Sequence, residues 1–253
     1  RLLNARAEEL GLLLASVDGG GLRNAIPREA EAVVVIPKAN RTAFAEAVEA
    51  YEKTMIAEYA GIEDSISIRA EACAAPAAII PADVAAKLTR AIVGCPDGVV
   101  RMSTAMPGLV QTSTNLARVV SAGRTIKLQC LLRSSVRSEK EALGEAIAAV
   151  FALAGATTEL TGSYDGWNPD MHSPILKAMT ASYEQLYGTE PSVTAIHAGL
   201  ECGIIGSNYP GLDMISFGPT ICYPHSPDEK VEIASVAKFY DFLVRTLGNI
   251  PRK

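Results

Sequence analysis

Two histidines open the segments of this chain best suited to chemistry. The first begins His197-Ala198-Gly199-Leu200-Glu201-Cys202-Gly203, and the second begins His225-Ser226-Pro227-Asp228-Glu229. Imidazole is the commonest protein metal ligand and exchanges a proton near neutral pH. Each histidine follows an apolar run: residues 193–196 lead into the first, and residues 214–217 with Gly218-Pro219 lead towards the second. Such runs predict strands, which places both imidazoles where strand gives way to loop, the rim at which open α/β sheets bind ligands. The residue types alone leave two readings for each: a metal ligand or proton carrier, and a loop histidine held by backbone hydrogen bonds.

The elements that must position these residues fall into two blocks. An amphipathic segment runs to Leu10, and apolar strand-like runs at 12–17 and 32–36 flank the turn signal Asp18-Gly19-Gly20-Gly21. Helical spacing of Phe44, Ala47, Val48, Tyr51 and Met55 predicts a helix over 41–59, followed by an alternating strand over 62–68. A second helix is predicted over 81–93, with Pro at its start and Gly94 at its end. Strands over 108–120 and 124–132 form a hairpin across Ser121-Ala122-Gly123. A third helix over 138–154 opens with Ser138 and Glu141 as a capping box, and 157–161 reads as a closing strand. The whole is an α+β unit, an antiparallel or mixed sheet with helices on one face. Beyond a crossing segment, 162–170, the pattern becomes α/β: helix 174–187, strand 193–196, short helix 200–205, strand 214–217 and a long helix 232–247 stopped by Gly248. Two strands and three helices bury too little apolar surface for a complete doubly wound domain. The expectation is an incomplete α/β segment whose other part lies upstream of Arg1.

Composition narrows the function classes. The chain has 253 residues, 49% of them hydrophobic and 20% charged, with a net charge of −5 and no dense Lys/Arg run, so nucleic acid is excluded as a partner. Apolar stretches such as 146–156 fall short of the roughly 20 residues that span a bilayer, so no membrane partner is expected. The five cysteines are scattered, odd in number and without a C-x-x-C pair, which predicts a reducing compartment and packed thiols, Cys202 among them. His172, before Ser173-Pro174, reads as a surface residue or helix leader.

Residues 196–229, with H-A-G-L-E-C-G, Y-P-G-L-D-M-I-S-F-G-P-T-I and H-S-P-D-E, closely resemble the aminoacyl-histidine dipeptidases, or cytosolic non-specific dipeptidases, a family of di-zinc metallopeptidases. G-G-L-R-N-A-I-P-R-E at 20–29, L-L-R-S at 131–134 and G-W-N-P-D at 166–170 match further family motifs. The resemblance implies a lid or dimerisation-type domain over 1–163 and the C-terminal part of a zinc-peptidase catalytic domain over 164–253. It implies that His225 is a metal ligand and that Asn24, Arg133 and Gly199 bind substrate, the Arg133 fork pairing with a terminal carboxylate. Glu201 carries two readings of equal weight, a functional carboxylate and a group that caps the following helix N-terminus. His197 is read as orienting its loop, with ligation as the alternative.

The family pattern also requires an H-x-D pair, a bridging Asp, a Glu-Glu pair and a further Asp. No H-x-D occurs, and the only Glu-Glu, Glu8-Glu9, sits on a polar helix face. A lid histidine of the family falls upstream of Arg1. The resemblance therefore implies a cytoplasmic enzyme that, when intact, hydrolyses dipeptides of Xaa-His type with broad specificity, using two zinc ions, or manganese or cobalt in their place. This chain alone, without a catalytic base, is expected to be inactive and to need the N-terminal catalytic half; a homodimer is left open. The alternative is a non-catalytic peptide-binding or dimerisation module derived from such a peptidase.

Overall fold

The first helix, α1 (Leu2–Leu10), ends where Gly11 turns into the left-handed region at φ 60° and donates its N–H to Ala7 O and Glu8 O, a conformation glycine adopts without the steric cost a Cβ brings. The structure is a computed structural model and describes residues 1–168, 170–196, 201–224 and 228–250. The backbone divides into two units: Arg1–Val100, Ser113–Leu132 and Ser138–Thr161 in one, and Arg101–Thr112, Arg133–Arg137 and Gly162–Lys253 in the other.

In the first unit β1 (Leu13–Gly19) and β2 (Ala30–Val35) pair antiparallel from Leu13↔Val35 to Gly19↔Ala30, with a bulge between Leu14 and Ser16. Helices α2 (Arg41–Glu58) and α3 (Ala82–Gly94) follow, then β3 (Gly98–Met102), β4 (Val110–Ala122), β5 (Thr125–Ser134) and α4 (Arg137–Leu153). The five strands form one sheet in the order β2-β1-β4-β3, with β5 also paired to β4. β1 meets β4 at Asp18↔Val120 and Gly19↔Val119, where Ser121 Oγ accepts the Val17 N–H at 2.8 Å and donates to Val17 O at 3.0 Å.

Leu143, Ile147 and Phe151, one turn apart on α4, bury against Ala91 and Cys95 of the α3 end and against Leu128, Cys130 and Leu132 of β5. Helical i, i+4 spacing and strand alternation put these residues on facing surfaces. Each large side chain so buried contributes about 1.5–3 kcal/mol. Cys95 and Cys130 are hydrogen-bonded to each other there, which with burial holds the Cys95 thiol protonated well above its ordinary range. Leu10, Leu12 and Ala47 make a second cluster with Val34, Ile36 and Phe44.

The second unit contains α5 (Pro174–Tyr187), α6 (Glu201–Asn208), the short antiparallel pair β6 (Ile221–Cys222) and β7 (Lys230–Val231), and α7 (Ile233–Gly248). α5 and α7 meet through aromatic edges, Tyr183 on Phe242 at 5.3 Å and Phe217 between Phe239 and Phe242 at 5.2 and 5.4 Å. Among the described residues, Met179 is the one buried apolar side chain of this unit.

Several sequence expectations are corrected. Residues 62–68, 157–161, 193–196 and 214–217 are irregular rather than strands. β-branched, alternating residues favour extended backbone, yet a strand exists only where a neighbour completes its ladder. At 62–68 the Ile68 N–H instead donates to the Glu52 carboxylate at 2.8 Å, and Ile62 stays exposed. β3 was not expected from sequence; all five of its residues are exposed, so it carries no burial pattern to read. α4 starts at Arg137, which puts Ser138 inside the helix and removes the expected capping box. The β4–β5 turn is Gly123-Arg124, with Gly123 at φ 59° supplying the positive φ that two-residue hairpin turns need.

Candidate functional site

Three of the sequence motifs come together in the second unit, and glycines make it possible. Arg133 is the penultimate residue of β5 and half-buried. Its neighbour Ser134 is buried, shares a hydrogen bond with Thr112 Oγ1 at 2.8 Å and accepts the Val136 N–H at 3.0 Å, while the Ser135 N–H donates to Gln111 O. These bonds fix the backbone from which Arg133 projects. Gly166 lies directly on this corner: a Cβ there would collide with Ser134 O and stand 2.7 Å from Ser135 Cα. Beside it Asp165 receives the Arg137 fork, Nε to Oδ1 at 2.7 Å and Nη2 to Oδ2 at 2.8 Å, the bidentate geometry that guanidinium favours.

Asp165 and Gly166 also meet α6. A Cβ on Gly203 would collide with Asp165 O, so α6 can approach this closely only with glycine at this position. Glu201 is exposed in the first turn of α6, where a carboxylate is favoured by the helix dipole. Cys202 is a half-buried free thiol.

The N-terminus of α5 is tied to the D-M-I-S-F run. Ser173, buried, accepts the Leu176 N–H at 3.2 Å and donates to Asp213 Oδ1 at 2.6 Å, and Asp213 Oδ2 accepts the Ile175 N–H at 2.8 Å. The Ser173 hydroxyl first, and the Ile175 N–H second, hold the Asp213 carboxyl below its ordinary range. Together with residues 191–196 and 211–217 these elements border an open cavity of about 820 Å³ whose walls include Trp167, Asn168, Leu176, Met214 and Phe242. Sequence reasoning did not single out Asp213, Asp165, Arg137 or Gly166 for these contacts.

Asn24 belongs to the first unit, at the third position of a turn in which the Ala25 N–H donates to Leu22 O at 3.2 Å. Its side chain is exposed on the loop between β1 and β2. His172 is exposed, with its backbone N–H on Asp170 Oδ1 at 2.8 Å, as a helix leader should be. His197, Gly199 and His225 lie outside the described residues. Among the described residues no group of three or more His, Cys, Asp or Glu side chains could hold a metal ion, and no helix is long and apolar enough to cross a membrane.

The chain belongs to peptidase family M20/M25/M40, whose model matches residues 6–249. It is similar to the cytosol non-specific dipeptidase of Escherichia coli (strain K12), 38% identical over 253 residues, which are all of this chain and 52% of the relative. The crystal structure of aminoacylhistidine dipeptidase from Vibrio alginolyticus matches at 41% identity with a TM-score of 0.91, again over 100% of this chain and 52% of that one. Aminopeptidase PepT from Bacillus cereus shares the fold alone, at 18% identity and a TM-score of 0.52 over 63% of this chain. The chain spans about half the length of the two dipeptidases.

Proposed function

We propose that this chain supplies the lid, residues 1–163, and the C-terminal catalytic segment, residues 164–253, of a cytoplasmic dipeptidase that cleaves Xaa-His and related dipeptides. The observation that carries the reading is the packing of three motifs, at Arg133-Ser134, Asp165-Gly166 and Glu201–Gly203, through glycines that admit no side chain. In this reading Arg133, projecting from a backbone clamped by Ser134 and Thr112, grips the free carboxylate of the dipeptide with its planar fork. Asn24, presented by its turn, hydrogen-bonds the substrate, and Gly199 lets the substrate backbone approach. Holding both ends of so short a substrate converts its cleavage into a reaction of oriented groups and excludes water from it.

In this reading binding and orientation, not the bond-breaking step, are what the described residues contribute. The reading assigns His225 to a zinc ion of the intact enzyme and leaves His197 and Glu201 between positioning and ligation. Zinc is the proposed metal, with manganese or cobalt as substitutes set by availability. The second unit supports a shared domain: its apolar runs remain exposed, Ile196 at 61% among them, as they would in a segment that packs on another part of the same domain.

The test uses a form of the protein extended to the length of its dipeptidase relatives, beside the 253-residue chain. The extended form is expected to hydrolyse an Xaa-His dipeptide and bind zinc, and His225→Ala to lower both. The short chain is expected to be inactive. Hydrolysis by the short chain, purified free of host peptidases, overturns this assignment, and dipeptide binding without hydrolysis by the extended form would replace it with a non-catalytic module.

A further inference from the structure

We infer that Asn115 and Gly20 are positioning residues that latch the Asn24 loop onto strand β4. The inference rests on the substrate-binding role proposed for Asn24. Residues 20–29 leave the β1–β2 ladder at its last pair, Gly19↔Ala30, and are closed at the base by the Gly20 N–H on Glu29 O at 3.1 Å. Beyond that bond the loop has little apolar anchoring, since Leu22 and Ile26 are 67% and 81% exposed. Two contacts with β4 hold it. At the base, Gly20 adopts φ 75° and sits so close to β4 that a Cβ would collide with Ala117 O. At the tip, Asn115 Nδ2 donates to Ala25 O at 2.8 Å.

Strand β4 thus fixes the root of the loop through its backbone at Ala117 and the tip through the Asn115 side chain. Ala25 is the residue after Asn24 and is bonded on both sides, its N–H to Leu22 O and its carbonyl to Asn115. The residue next to Asn24 is thus held both by the turn of its own loop and by the sheet. Asn115 acts through Ala25 and is not assigned a contact with substrate.

The experiment measures backbone amide exchange and steady-state kinetics on the extended form carrying Asn115→Asp, Asn115→Gln or Gly20→Ala. Asn115→Asp keeps the shape and loses the donor. It is expected to speed exchange of the Ala25 amide about tenfold and to lower kcat/KM about tenfold, mostly through KM, the scale of one hydrogen bond of about 1.4 kcal/mol, with the melting temperature unmoved. Asn115→Gln retains an amide donor and should recover part of both effects; Gly20→Ala should act in the same direction from the other end. Unchanged exchange at Ala25, or a Gln variant no better than Asp, overturns the latch. Faster exchange with unaltered kcat/KM overturns its service to the substrate and, with it, the role of Asn24. A wild-type extended form that hydrolyses no dipeptide defeats the proposed function instead, while the exchange result still decides the latch.

Discussion

Replacing Ser173 by alanine should loosen the start of α5 and the run that Asp213 anchors to it. Ser173 is 4% exposed. Its Oγ is the acceptor for the Leu176 N–H and the donor to Asp213 Oδ1, so one deletion strips the helix of its cap and the carboxylate of its closest partner. Loss of a Ser N-cap costs about 0.5–2 kcal/mol, typically about 1. The Leu176 N–H left without its partner is half-buried, which keeps the value at about the typical 1 kcal/mol or somewhat above it. Opening of the first helical turn should rise accordingly, about fivefold to thirtyfold, read as faster exchange of the Ile175, Leu176 and Lys177 amides. Ser173→Thr, which retains a capping hydroxyl, should recover most of the loss. The effect should also depend on pH. Because the Asp213 carboxyl is held below its ordinary range, its contribution is in place above the usual carboxylate pKa near 4 and is lost as pH falls through the lower folded value. Ser173→Ala removes the main cause of that depression and should flatten the acid limb of the stability curve. Amides of the α5 first turn that exchange at wild-type rates in Ser173→Ala, with an unchanged acid limb, would refute the cap and the link to Asp213 together.

In the extended enzyme, Arg133→Lys should cost about 1.5–3 kcal/mol of transition-state binding, the range for hydrogen bonds to charged groups, with the melting temperature nearly unmoved; wild-type kcat/KM on a free dipeptide, or loss of activity only through unfolding, sinks the carboxylate clamp. Thr114→Val should raise stability by about 1 kcal/mol, because the Thr114 hydroxyl is buried without a hydrogen-bond partner and Val replaces it at equal shape; a less stable Val variant in chemical denaturation would show that the hydroxyl is satisfied. Gly203→Ala should destabilise by about 1–3 kcal/mol, since its Cβ meets backbone at Asp165, whereas Gly206→Ala meets only the movable end of Met214 at 3.0 Å and should gain from helix propensity; equal melting temperatures for the two variants would contradict the close approach of α6 to Asp165.

The helices were legible in the sequence because their signals are local. Residues 174–187 were expected as a helix and α5 is Pro174–Tyr187; 41–59 became Arg41–Glu58, and 232–247 became Ile233–Gly248. Each has a repeat of 3.6 residues, and Ser173-Pro174 and Gly188 mark the ends of α5. Strands failed where the partner decides. The β1–β2 and β4–β5 hairpins were expected to within a few residues since each strand brings its partner across a short connection, but 62–68, 157–161, 193–196 and 214–217 carry strand-like residues with no such neighbour. Near Arg133, the collision of a Cβ at Gly166 with Ser134 O is a relation between distant segments that no spacing encodes.

The same distinction bears on the two units. In the first, α4 and β5 bury Leu143, Ile147, Phe151 and Leu132 against one another, so the hydrophobic effect alone favours the arrangement. In the second, helix α7 has an apolar stripe at Val236, Tyr240, Val244 and Leu247 and no buried residue, and the runs 193–196 and 214–217 have no ladder. Beside the ring contacts of Tyr183, Phe217, Phe239 and Phe242 and the buried Met179, what orders this unit is polar and steric: the Arg137–Asp165 fork, the Ser173–Asp213 cap, the Thr112–Ser134 bond and the contacts at Gly166 and Gly203. Those interactions constrain direction more than they contribute net stability, since each hydrogen bond yields only about 0.5–1.5 kcal/mol. They hold the Arg133-Ser134, Asp165-Gly166 and Gly203 backbones in register.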